Sequence, residues 1–312
     1  MFHPCDAVLL FLIGFAAAAA PPTQQRTRCQ AAAPPTQRTR RQALGYGVGG
    51  AAAAWPLATA ALPSDNAGAL TTLRRRVGQR VTTARPSYGL DASDVYYPDF
   101  FEGSWRTTST AVDVQAPLGA ALFGGNASLA AALKELRSPP VVYDCRFVRD
   151  ARGRLVADRP YNIQSLAAAT MGGAGAVRDL PDSANFNPDD LTFKLAPEGS
   201  GGGVYLARLR ALARRYEPAA GEVVDGAGRR VFDVGELTRQ QLSLPGGAAV
   251  PPSVKDIETI NCFTRLSPTR VAAVQRTSTW LVATEGYAAM RAQAADGRAV
   301  DIRTYDVLYE RL

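Results

Sequence analysis

Residues 104–115 set Trp105, Thr107, Ser109, Ala111 and Asp113 on one side of the backbone and Arg106, Thr108, Thr110, Val112 and Val114 on the other. A period of two in a run rich in β-branched residues describes a strand with one face on a core. Comparable segments return at 141–150, 154–159, 161–169, 191–196, 204–216, 229–234, 238–244, 256–266, 270–282 and 300–312. Short polar connections join several of them. Ala151-Arg152-Gly153 and Ser267-Pro268-Thr269 read as hairpin turns. The strand–helix–strand rhythm of a parallel sheet is missing, so the expected sheet is antiparallel. About eight to ten strands in one domain favour closure into a barrel, because closure removes exposed edges. The expected fold class is mainly β, with one or two short helices.

Two helices interrupt the strands. Residues 126–136 offer Asn126 or Ser128 as N-cap and Pro139-Pro140 as a stop, and 284–295 can start at Thr284 and end at Gly297. A weaker helix, 70–84, precedes the domain proper, and 172–190 reads as an irregular surface loop.

The front end has another composition. Residues 7–64 hold no Asp or Glu but carry Arg26, Arg28, Arg38, Arg40 and Arg41. An apolar run at 7–20 suits a secretory h-region and is too short to span a bilayer. A local duplication follows, AAAPPTQQRTRCQ and then AAAPPTQRTRRQ. Arg40-Arg41, a weakly apolar Gly/Ala run and Ala58-Thr59-Ala60 then form a twin-arginine export signal with a small-x-small cleavage site. The expectation is a cleaved three-part leader over 1–60, an N-terminal extension over 61–95 and one barrel-like domain over 96–312. Such a leader resembles those of lumenal proteins in algae with complex plastids, which implies delivery to the chloroplast thylakoid lumen.

Without the leader, 30 basic residues face 27 acidic ones, a net charge of +3 against +7 for the whole chain. That balance and the lack of a dense basic patch give no support for nucleic-acid binding. The single histidine is His3, inside the leader. The remainder therefore cannot run Ser-His-Asp or Cys-His catalysis or an imidazole metal site. Two cysteines remain, Cys145 and Cys262, each in a strand-like run. They are buried free thiols or, in an oxidising compartment, could close a disulfide. No metal and no cofactor is expected.

Gly103-Ser104-Trp105 opening the first strand, with Arg303 or Arg311 on the last, resembles the calycin/lipocalin pattern. There the resemblance implies a Trp plugging the barrel's end and an Arg from the closing strand across the indole. Of the two arginines, Arg311 is preferred. Over its length the chain also resembles an uncharacterised family shared by cyanobacteria and plastids, through YYPDFFEGSWRTTSTAVDVQAPLG and VDIRTYDVLYERL. That resemblance implies a photosynthetic setting and brings no catalytic residues.

Gly172-x-x-Gly175 and the GSGGG at 199–203 lack the Lys-Ser/Thr of a phosphate loop. Asp179, Asp182, Asp189 and Asp190 lack calcium-loop spacing. The leading expectation is a non-enzymatic lumenal protein whose barrel binds an apolar or amphipathic small molecule such as a lipid, quinone or pigment. The alternative is a photosystem auxiliary or assembly factor, or a protein of the thylakoid membrane surface, docking through Tyr96, Tyr97, Phe100 and Phe101. An enzyme without histidine chemistry comes third.

Overall fold

A computed structural model describes residues 64–78, 83–86, 94–181, 188–196, 203–217, 229, 231–243 and 252–312. The leader, with Arg40, Arg41, Ala58 and Ala60, lies outside them, as do Asp182, the Gly199–Gly203 run apart from Gly203, and the turn at 225–228. The described chain is mainly β. In order come α1 (Ser64–Gly78), a 3₁₀ turn (Asp99–Phe101), β1 (Gly103–Gln115), α2 (Ala120–Phe123), α3 (Asn126–Glu135), β2 (Val141–Arg149) and β3 (Leu155–Ala157). Then follow α4 (Arg159–Met171), a 3₁₀ turn (Ala174–Ala176), β4 (Val177–Arg178), β5 (Asp190–Leu195) and β6 (Tyr205–Glu217). The chain closes with β7 (Val231–Ser243), β8 (Ser253–Ser267), β9 (Arg270–Leu281), α5 (Gly286–Ala295) and β10 (Asp301–Arg311).

All ten strands form one antiparallel sheet, in the order β3-β2-β1-β10-β9-β8-β7-β6-β5-β4. The last strand inserts beside the first, with Trp105 opposite Arg311. Register shifts at Ala111/Asp113, Ala211/Ala213 and Arg265/Ser267 add residues to long strands. Such bulges sharpen twist and bend, and they let a sheet this wide roll up. The result is a curled half-barrel, consistent with a calycin-like barrel. Phe147 of β2 meets Tyr309 of β10, and both reach Phe101, which also touches Phe263 of β8.

The concave face buries Trp105, Cys145, Phe147, Phe232, Val234, Phe263, Val271, Ala273, Tyr305, Val307 and Tyr309 together. The convex face carries a second layer, where Leu70, Leu73 and Val77 of α1 cover Val231, Ile260, Cys262, Ala272 and Val274. Their spacing of three and four places all three on one stripe of α1. Arg74 pairs with Asp306 and Arg76 with Asp233, fixing the helix from both sides. Downstream, the Trp280 indole N–H donates to the Thr83 carbonyl at 3.1 Å, and Arg85 pairs with Asp256.

Several expectations change. Residues 161–169, read as a strand, form the middle of α4. Asp158 accepts from the Tyr161 N–H as N-cap, Pro160 stands in the first turn, and Gly172 takes the left-handed C-cap position. Five helices are present among the described residues, where one or two were expected. Residues 229–234 and 238–244 are not separate strands. β7 runs through Gly235, which faces Arg215 on one side and Ile260 on the other. Neither Asn126 nor Ser128 caps α3, whose N-cap is Gly125; the Ser128 hydroxyl donates instead to the Gly124 carbonyl.

Candidate functional site: a half-enclosed cavity under helix α4

The half-barrel's edge strands, β3 and β4, do not pair with each other. Helix α4 leaves β3 and lies along the gap. Its Ala167 and Met171 join Leu191, Phe193, Leu195 and Ala207 in a buried cluster on the concave side. Beyond its short pairing with β3, β2 has a free edge, and α4 covers it with side chains. The Arg146 N–H donates to Asn162 Oδ1 at 2.7 Å, and the Asn162 amide donates back to the Arg146 carbonyl at 3.2 Å. The Asp144 N–H donates to the Ser165 hydroxyl at 3.0 Å. Arg146 also pairs with the buried Asp158. These bonds answer backbone groups that a neighbouring strand would otherwise have to satisfy.

Between α4 and the concave face lies a half-enclosed cavity of about 230 Å³. Its apolar wall is Val95, Tyr97, Tyr143, Ile163, Leu166 and Val234, and its polar wall is Arg159, Asn162, Glu236, Thr259 and Asn261. Arg159 grips Glu236 with both terminal nitrogens, at 3.0 and 2.8 Å, and the Arg214 Nε donates to the same carboxylate at 2.8 Å. Burial by itself would raise the Glu236 pKa, but the two guanidiniums hold the carboxyl down to about 2. Burial pushes the Tyr97 phenol far above its ordinary value. A second concavity, outside the seam between Arg146, Tyr161 and Arg178, is lined by groups already engaged in the Arg146–Asp158 pair and the Arg178 bond to Gly175.

The barrel end is built around Trp105, which is fully buried and donates from Nε1 to the Phe101 carbonyl at 2.7 Å. The Arg311 guanidinium lies 4.5 Å from the Trp105 ring centroid. It also donates to the carbonyls of Glu102 and Phe100, at 2.6 and 2.7 Å. Gly103 permits this approach: its φ is +106°, and a Cβ would stand 3.3 Å from Arg311 Nη1. Arg303 lies elsewhere. Near the opposite end of β10 it is buried with Asp301 and Glu135, over the Phe123 ring.

One candidate site is corrected, and of the two readings of the cysteines the disulfide falls away. Tyr96, Tyr97, Phe100 and Phe101 do not form an exposed patch. Phe101 is 0% exposed, Tyr97 packs edge-on against Phe101, Phe147 and Phe263, and the half-buried Tyr96 and Phe100 are faced by Arg154 and Arg265. The segment turns inward because it caps the concave core. Cys145 and Cys262 are both buried, and neither is in a disulfide. Cys145 belongs to the concave layer and Cys262 to the convex layer under α1, so the sheet stands between the sulfurs and forbids a bridge. Burial pushes the Cys145 thiol up to about 12. The described aspartates of the 172–190 region are paired singly rather than gathered: Asp179 with Lys194, Asp189 with Arg214 and Asp190 with Arg208. Among the described residues no cluster of three or more His, Cys, Asp or Glu could hold a metal ion.

Sequence reasoning missed Arg159, Asn162, Glu236 and Asn261, the cavity's polar residues. Asp158 with Pro160 was the available signal for α4, and Glu236 was lost in the supposed break of β7.

The molecule thus defined is a calycin-like antiparallel half-barrel with a plugged end and a small side cavity. It belongs to a family described as a Domain of unknown function (DUF6816), whose sequence profile matches residues 89–312. A search of curated proteins finds no match.

Proposed function

We propose that this protein is a non-enzymatic binder of a small amphipathic molecule, acting in the thylakoid lumen of a photosynthetic cell. The observation that carries the binding role is the cavity beneath α4, with one apolar, aromatic wall and one polar wall. That pairing is the usual make-up of a small-ligand site. Its volume of about 230 Å³ is below the roughly 300–1,000 Å³ of drug-sized sites. It therefore suits a compact ring or a headgroup and not a whole pigment or acyl lipid. The lumenal setting rests on the sequence alone, on Arg40-Arg41 and Ala58-Thr59-Ala60. Among the described residues no helix is long and apolar enough to cross a membrane.

The test is purification of the protein from its native compartment, followed by native mass spectrometry. A co-purifying small molecule that is lost when Leu166→Trp fills the cavity supports the reading. A wild-type protein that carries nothing and binds nothing from a thylakoid extract overturns it. A role in photosystem assembly through protein contacts is the second reading. It draws on Tyr287 and Met290, which are 74% and 67% exposed and lie three residues apart on α5.

A further inference from the structure

The polar wall of the cavity has its charges already matched. Both Glu236 oxygens receive Arg159, and one also receives Arg214. An ionised ligand would have to compete with these pairs in a half-enclosed space, where a displaced charge is costly. The uncommitted polar groups are neutral. Thr259 and Asn261 stand two residues apart on β8, hence on one face, and both line the cavity. Among the described residues neither side chain has a hydrogen-bond partner. Together they present a hydroxyl and a carboxamide, which can donate to a carbonyl oxygen and also accept from a hydroxyl. Across from them stand the rings of Tyr97 and Tyr143 and the aliphatic Ile163 and Leu166.

From this arrangement we infer that the ligand is an uncharged ring compound bearing carbonyl or hydroxyl oxygens, of the quinone or phenol class. Its oxygen faces Thr259 and Asn261, and its ring lies against Tyr97, Tyr143 and Leu166. The inference rests on the binding role proposed above and narrows it. The half-enclosed mouth lets a substituent project while the ring is held.

Charge and hydrogen bonding can be tested separately on the purified full chain by isothermal titration with three probes: duroquinone, naphthol and naphthoate. Naphthol and naphthoate share a ring system and differ in charge. The expected result is binding of naphthol and duroquinone, with naphthoate at least about tenfold weaker, a difference of about 1.4 kcal/mol. Thr259→Val with Asn261→Leu should weaken both neutral probes by about tenfold while far-ultraviolet circular dichroism stays unchanged. If that variant misfolds, the wild-type comparison of naphthol with naphthoate decides alone. Naphthoate binding as well as naphthol overturns the inference, and so does a folded double variant with unchanged affinity. If an extracted native ligand is displaced by none of the three probes, this inference fails and the binding role stands. If there is neither native ligand nor probe binding, both fail.

Discussion

Arg311 does two jobs at the barrel end, and a double-mutant cycle with Trp105 separates them. Its guanidinium stacks on the indole at 4.5 Å and also donates to the carbonyls of Phe100 and Glu102, tying the 3₁₀ turn to the closing strand. The side chain is exposed, so the stacking contributes only about 0.5–1 kcal/mol. The two carbonyl bonds compete with water and together add about 1 kcal/mol. Arg311→Ala should therefore cost about 1.5–2 kcal/mol, and Arg311→Lys about 1 kcal/mol, since a point charge cannot stack and serve both carbonyls. Trp105→Ala removes a fully buried indole and should cost about 3–5 kcal/mol. In the double variant the carbonyl bonds are lost as in Arg311→Ala, but the stacking is counted once, giving a coupling of about 0.5–1 kcal/mol. Urea unfolding followed by circular dichroism and by tryptophan fluorescence measures all four proteins. A coupling within about 0.3 kcal/mol of zero would show that the indole and guanidinium do not interact energetically. An Arg311→Ala cost equal to that of Trp105→Ala would show that the arginine supports the end of the barrel by some other route.

Glu236, held down to about 2 against 4.5 when free, stabilises the folded state fully above pH 4.5, and this contribution, about 3 kcal/mol at most, is lost as pH falls toward 2. Acid titration of wild type against Glu236→Gln should show a difference that shrinks over that window; a constant difference would refute the assignment. Burial pushes the Lys255 ammonium down to about 8, only partly opposed by Asp301, so its cost is borne below pH 8 and relieved as pH rises from 8 to 10.5. Relative to Lys255→Met, wild type should gain up to about 3 kcal/mol across that interval, and parallel stability curves would exclude a buried charge. In a chain whose Cys5 and Cys29 are replaced by serine, Cys145 and Cys262 should both resist a thiol reagent in the folded protein and react fully in denaturant without reductant. A single reactive equivalent, or none, in denaturant would contradict two free thiols.

The strands were legible because alternation reports directly on a sheet with two unlike faces. Residues 104–115, 270–282 and 300–312 correspond closely to β1, β9 and β10, and the Gly103–Trp105 and Arg311 ends are residues whose chemistry requires a partner across the sheet. Helix α4 was not legible from periodicity. Tyr161 and Ile163 sit at alternate positions as in a strand, and only the Asp158, Pro160 and Gly172 punctuation distinguishes a helix there. The cavity escaped for another reason. Its walls come from the segment holding Val95 and Tyr97 and from β2, β3, β7, β8 and α4, many of them distant in sequence, and strand alternation does not reveal which strands face one another across the curl. The inward turn of Tyr97 and Phe101 was hidden in the same way, since an aromatic run suits an interface and a core equally.

The side-chain bonds from α4 to β2 bear on how this protein behaves among its own copies. An unpaired strand edge is a template for another chain, and β2 presents the N–H groups of Asp144 and Arg146 on the side away from β1. Asn162 meets the N–H and the carbonyl of Arg146 at once, accepting through its Oδ1 and donating through its amide nitrogen, and Ser165 meets the Asp144 N–H. Two small polar side chains thus act as gatekeepers against intermolecular strand addition and aggregation.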